Sequence, residues 1–220
     1  MKKVFISFDI DGTIIKPNYD DFIWYKEIPK LYAQKYGIEV EKARDIVTKE
    51  YKKIGENDIR WYIPQYWLDR FGLKVKQDEI LQKYAHKIEI YEEVETVLNK
   101  LYGKYPLIIS SAMPHSFIKV KLKKNNLFRY FERIFSAVSD FKMVKKESTF
   151  YKKVCERLKI PTQNLIHVGD RYREDYLAPR KAGVRAFYLD RTNNQPLSDP
   201  NIISDLLEFC SKLENYVKLL

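Results

Sequence analysis

Four short apolar runs constrain this chain more than anything else in it. Val4–Phe8, Leu107–Ile109, Leu165–Val168 and Arg185–Leu189 are each three to five residues long, and each gives way to polar residues. A strand of a parallel sheet reads this way, because helices cover both of its faces and neither side meets water. Arg133-Ile134-Phe135 is a fainter fifth run. Helical periodicity lies between the runs. Val94, Val97, Leu98 and Leu101 recur along Glu92–Tyr102, ahead of Gly103 as a C-terminal cap. Ser116–Lys124, Ser148–Leu158 and Tyr172–Ala182 follow, and Asn201–Leu220 reads as a closing amphipathic helix. Strands alternating with helices predict an α/β fold with a Rossmann-like doubly wound parallel sheet.

One interval breaks the alternation. From about Lys16 to about Ile90 no segment reads as a strand. Periodic apolar positions predict helices around Asp21–Tyr36, Val40–Lys53, Ile59–Phe71 and Asp78–His86, with Gly37, Gly55 and Gly72 at the joints. Pro29 and Pro64 fall inside two of them and should kink or split them. The expected organisation is an α/β core of residues 1–15 and 91–220, with a helical cap of residues 16–90 inserted after the first strand.

Composition excludes several classes. Apolar residues make up 45% of the 220 and charged residues 32%, which rules out a disordered or collagen-like chain. No stretch approaches the roughly 18 apolar residues of a membrane-spanning helix. Met1-Lys2-Lys3 runs straight into an apolar stretch too short for a signal peptide, so a cytoplasmic location is expected. Cys155 and Cys210 are too few and too far apart for a disulfide framework, and His86, His115 and His167 have no zinc-site spacing. The net charge is +10, of which +9 lies between Lys119 and Lys159. That segment is either a solvated face or an attractor of phosphate-bearing ligands.

The candidate chemistry sits where the apolar runs end. The first ends in Phe8-Asp9-Ile10-Asp11-Gly12-Thr13, which sends two carboxylates, two residues apart, off the same side of an extended segment. Ligands of open α/β sheets bind at that edge. Two neighbouring acids repel each other unless something offsets them, and Mg²⁺ suits oxygen ligands of this kind. As a plain alternative, Asp-Gly is a common turn dipeptide. A later run, Leu165-Ile166-His167-Val168-Gly169, ends in Asp170, with Asp175 five residues on, at the first turn of the next helix. The run Ile108-Ile109 ends in Ser110-Ser111, whose hydroxyls can bind a phosphate oxygen or simply cap a helix. Lys145 and Lys146 follow the faint strand, and either one, aimed at the sheet edge, would neutralise an anion.

Taken in order, these segments read strand-DxDGT, strand-Ser, Lys, strand-GDxxxxD. That order resembles the haloacid dehalogenase superfamily, and the resemblance covers the whole chain. It implies a core of the same fold with a C1 cap between the first two motifs. It also implies Mg²⁺-dependent phosphoryl transfer through an aspartyl-phosphate. Asp9 would be the nucleophile, and Asp11 the acid for the leaving alcohol and then the base for water. The metal would be held by Asp9, the backbone carbonyl of Asp11, and Asp170, with Asp175 supporting directly or through water. Ser110, with Ser111 beside it, and Lys145 would bind the phosphoryl oxygens. The sequence departs from the family pattern at Ser111, where Asn is common, at Lys146, where Pro is common, and at Arg171, where a small residue is common. An acid at position 11 favours an alcohol leaving group over a halide, which needs no proton.

The resulting expectation is a phosphatase acting on a small phosphorylated metabolite, as monomer or homodimer. Lys16, Tyr19, Trp24, Arg60 and Trp61 are candidates to read the leaving group. A phosphomutase, a nucleotide or polynucleotide-end phosphatase, and a non-catalytic basic nucleic-acid-binding protein are the competing readings. The last rests on the +9 segment and its interleaved aromatics.

Overall fold

The computed structural model describes residues 3–192 and 199–217. Six parallel strands form one sheet in the order β3-β2-β1-β4-β5-β6. They are β1 Phe5–Phe8, β2 Leu107–Ser111, β3 Phe131–Ser136, β4 Leu165–Gly169, β5 Arg185–Leu189 and β6 Ile202–Ile203. The five apolar runs are thus all strands of a doubly wound parallel sheet. β6 was not expected: Ile202 and Ile203 fall where the sequence predicts the start of the last helix, which instead spans Leu206–Val217. A two-residue strand carries too little period to be told from a helix start. Residues 218–220 of the predicted helix lie outside the described residues.

The helices are α1 Asn18–Phe22, α2 Ile28–Tyr36, α3 Val40–Ile54, α4 Pro64–Arg70 and α5 Gln77–Lys83, then α6 Val94–Leu101, α7 His115–Lys124, α8 Ala137–Phe141, α9 Ser148–Leu158, α10 Ala178–Lys181 and α11 Leu206–Val217. The first five all lie between β1 and β2. Pro64 opens α4, where its missing N–H is harmless. Pro29 lies just beyond a π-helical turn over Ile23–Glu27 that joins α1 to α2. Pro179 stands in the same relation to a π-helical turn over Tyr172–Leu177. Widening the helix ahead of a proline relieves the clash of its ring with the carbonyl four residues back.

Alternation along the strands sorts the core into two layers. Ile6, Phe8, Ile109, Ile166 and Val168 join a large cluster that continues into the inserted helices through Tyr19, Val47, Trp67 and Leu81. Phe5, Ile108 and Leu165 face the other way, onto Phe150, Tyr151 and Val154 of α9. β1 is central, in register with β2 on one side (Phe8 opposite Ile109) and β4 on the other (Phe8 opposite Val168). The chain winds outward in both directions from this point, so a crevice opens at the carboxyl ends of β1, β2 and β4.

Candidate active site

Asp9, the first residue beyond β1, donates its N–H to the Val168 carbonyl (3.0 Å) and lies at the crevice floor, 5% exposed. Oxygens of Asp9, Asp170 and Asp175 come within 4.8 Å of one another. Two glycines permit this crowding. A Cβ on Gly12 (φ +76°) would stand 2.0 Å from Asp170 Oδ2, and one on Gly169 would stand 2.4 Å from Asp175 Cγ. The Asp11-Gly12 step is therefore more than a turn dipeptide, since its glycine makes room for the carboxylate of the neighbouring strand. Arg191, just past β5, fastens the same loop by donating from Nε to the Gly12 carbonyl (3.1 Å) and from Nη2 to that of Thr13 (2.8 Å). Nothing in the sequence around Arg191 signals that task.

The lysine at this cluster is Lys146. Its Nζ is 2.5 Å from Asp9 Oδ1 and 2.5 Å from Asp175 Oδ1, and the residue is 1% exposed. Lys145, expected at the phosphoryl group, is exposed instead. The chain bends at Val144 and Lys145, and the Glu147 N–H closes back onto the Lys145 carbonyl (3.0 Å), which turns Lys146 inward and leaves Lys145 in solvent. Asp175 is the best-satisfied acid of the group. Its Oδ1 also accepts from His167 Nε2 (3.0 Å) and Tyr151 Oη (3.3 Å), and its Oδ2 accepts from the Arg171 N–H (3.0 Å). His167 Nδ1 lies 2.9 Å from Ser7 Oγ, which in turn lies 2.8 Å from Ser110 Oγ. His167 bridges the Asp175 carboxylate and the Ser7 hydroxyl through its two ring nitrogens, and Ser7 donates onward to Ser110. Ser110 thus ends a buried polar chain beneath the nucleophile candidate, while its neighbour Ser111 lines the crevice.

Asp11 turns the other way. Its Oδ1 receives Lys121 Nζ, and the same ammonium lies 2.7 Å from Asp20 Oδ2 on α1. With its carboxylate so engaged, Asp11 is set apart from the Asp9–Asp170–Asp175 cluster, which leaves only its main chain to serve a metal there. Lys121 is wholly buried. The sequence concealed it within a helix rich in lysines, where a solvated side chain is the ordinary outcome. The crevice has a volume of about 170 Å³; besides Asp9, Asp11, Ser111 and Lys146, its walls include Asp20, Asp21, Tyr62, Met113, Arg171 and Glu174. Of the leaving-group candidates, Tyr19 is in the core with its hydroxyl donating to the Leu81 carbonyl (2.6 Å), and Lys16, Trp24, Arg60 and Trp61 do not line the crevice. His115 is not among its walls and pairs with Asp140 at 2.8 Å.

The charges explain what the cluster lacks. Burial pushes Asp9 well above the ordinary carboxylate range, against the pull of Lys146. Burial, and then the charge of Asp175, raise Asp170 to about 6. Burial also opposes ionisation of Asp175, but Lys146 and His167 outweigh it and hold that acid below the usual range. Three carboxylates share one ammonium, and Asp170 Oδ1 is buried with no hydrogen-bond partner among the described residues. A hard divalent cation fits this donor set, supplying the missing charge and the missing partner at once.

Residues 5–183 match the haloacid dehalogenase-like hydrolase family. The chain belongs to that family. It is 25% identical to an HAD phosphatase from Thermococcus onnurineus, with a TM-score of 0.81 over 97% of this chain and 98% of the other. It is 22% identical over 167 residues to the GMP/IMP nucleotidase YrfG of Escherichia coli, covering 75% of this chain and 73% of the relative. The HAD-hydrolase YfnB of Bacillus subtilis, solved bound to magnesium, shares the fold with 17% identity, a TM-score of 0.63 and coverage of 97% of this chain and 100% of the other. Membership makes this chain a hydrolase, which removes the non-catalytic nucleic-acid-binding reading. No helix among the described residues is long and apolar enough to cross a membrane.

Proposed function

We propose that this hydrolase is a Mg²⁺-dependent phosphatase that cleaves small phosphomonoesters through an aspartyl-phosphate. The observation that carries the reading is the convergence of Asp9, Asp170 and Asp175 on one buried spot, with Lys146 against Asp9. Asp9 and Asp170 would hold the cation; when bound, it neutralises charge on the transferring phosphoryl group. Asp175, saturated with donors, anchors Lys146.

Lys146 binds Oδ1 of Asp9, which leaves Oδ2 to attack phosphorus. As the new O–P bond forms, the ester P–O bond breaks and Asp11 gives a proton to the departing alkoxide. A water then attacks the aspartyl-phosphate, Asp11 takes its proton, the Asp9–phosphorus bond breaks and inorganic phosphate leaves. Lys146 and the Ser111 hydroxyl would hold phosphoryl oxygens, and fixed positive charge there favours the transition state. The helical insertion serves as a C1-type cap that keeps bulk water from the intermediate.

Inserted helices over the crevice suit a small metabolite better than a polymer end. The E. coli relative's name places purine nucleoside monophosphates among the first compounds to assay. The test is a panel of nucleotide, sugar and aryl phosphates with and without Mg²⁺, with products identified so that transfer back to the sugar, as in a phosphomutase, is recognised. Phosphate release that requires Mg²⁺ and disappears in Asp9→Asn is expected. Turnover retained by Asp9→Asn overturns the reading.

A further inference from the structure

Lys121 has no part in that scheme, yet it is a fully buried cation at the crevice. It leaves α7 wholly buried and ends against two carboxylates from different parts of the chain: Asp11 on the loop after β1, and Asp20 on the first inserted helix. The rings of Tyr19 and Phe117 stand 5.9 and 5.5 Å from its Nζ and pack edge to face on each other at 6.1 Å. Two acids and two ring faces thus fix the ammonium, and the ammonium fixes which way the Asp11 carboxylate turns. It occupies Oδ1 only. Asp11 Oδ2 is buried and has no hydrogen-bond partner among the described residues, and Asp11 lines the crevice.

We propose that Lys121 is a positioning residue that holds Asp11 with one carboxylate oxygen directed at the leaving group, using Asp20 as its second anchor on the inserted helices. The inference rests on the phosphatase reading, in which Asp11 delivers the proton to the departing alkoxide. A buried, undirected carboxylate would sample several rotamers, and proton delivery depends on geometry at the scale of an ångström. Because the anchor is Asp20, Asp11 is set only when α1 is seated against α7.

The dependence on leaving group tests this. A nitrophenolate departs without help, whereas an alkoxide needs its proton. The kcat/KM for each substrate reports the steps through formation of the phosphoenzyme, before the hydrolysis common to all. Lys121→Met should cut kcat/KM for a simple alkyl phosphate by about 10²-fold while lowering it for p-nitrophenyl phosphate by no more than about fivefold. Asp11→Asn should show the same selectivity, and Asp11→Asn/Lys121→Met should be no worse than Asp11→Asn alone, because a residue that acts through another adds nothing once that other is gone. The double variant also serves if Lys121→Met does not fold, since it removes the cation together with one of the two acids that it neutralises. An equal loss on both substrates in Lys121→Met, or a further loss in the double variant relative to Asp11→Asn, overturns the positioning role. Absence of leaving-group selectivity in Asp11→Asn instead overturns the assignment of Asp11, and with it the mechanism above.

Discussion

The crevice holds two acid–lysine–acid clamps, and they differ in what they tie together. Asp9, Lys146 and Asp175 all belong to the carboxyl rim of the sheet and the segments next to it, and three further donors from His167, Tyr151 and the Arg171 backbone brace the far acid. Asp11, Lys121 and Asp20 span the sheet rim, a flanking helix and the inserted helices, and each acid keeps one buried oxygen with no hydrogen-bond partner among the described residues. The first clamp is saturated and local; the second is open and bridges two layers. A saturated clamp holds a fixed charge pattern for the phosphoryl group. An open one leaves acceptor positions for a group that changes from one substrate to the next.

The comparison breaks most visibly at the saturated clamp. Asp9→Asn should lower turnover of every substrate by at least about 10⁴-fold. Lys146→Met should do nearly as much and should also lower the melting temperature, because two buried carboxylates lose their cation at a cost of about 3–5 kcal/mol. If Lys146→Met and Lys121→Met affect p-nitrophenyl phosphate alike, the two clamps do not divide the work as argued. Gly12→Ala, which touches neither lysine, should cost about 10²-fold or more by driving Asp170 from its place, and steady-state kinetics together with Mg²⁺ titration will measure it. Mg²⁺ should raise the melting temperature at pH 7.5, and Asp170→Asn should abolish that rise. With Asp170 pushed up to about 6, the rise should shrink as pH falls through 6, because binding must then displace a proton.

The smallest effect belongs to Asp20. Burial, and then the charge of Asp11, push this acid up to about 7 against the pull of Lys121. A carboxyl raised in the folded state binds more protons folded than unfolded. It therefore costs nothing below its unfolded value near 4, and destabilises progressively as pH rises from about 4 to about 7. Asp20→Asn lacks that titration, so its melting temperature relative to the parent protein should increase across the same window and level off above it. A constant difference from pH 4 to 8 would show that Asp20 is paired as tightly as Asp175.

Local pattern determined the sheet and most of its rim. A strand buried on both faces must be apolar throughout, and a polar break must follow where the chain leaves the layer, so Asp9, Asp170 and the Ser110-Ser111 pair could be placed at one edge from spacing alone. The helical insertion was equally legible, since a stretch with period near 3.6 cannot alternate into a sheet. The tertiary structure decided the matters that depend on direction. Lys146 rather than Lys145 faces Asp9, because a bend at Val144 and Lys145 turns one neighbour inward and the other outward. Ser110 enters the buried chain with Ser7 and His167, and Ser111 the crevice, because successive side chains of a strand point to opposite faces. Lys121, Asp20 and Arg191 were invisible in sequence because their partners lie 110, 101 and 179 residues away or nearly so along the chain. A buried charge is recognised by its partner, and only folding brings that partner within reach.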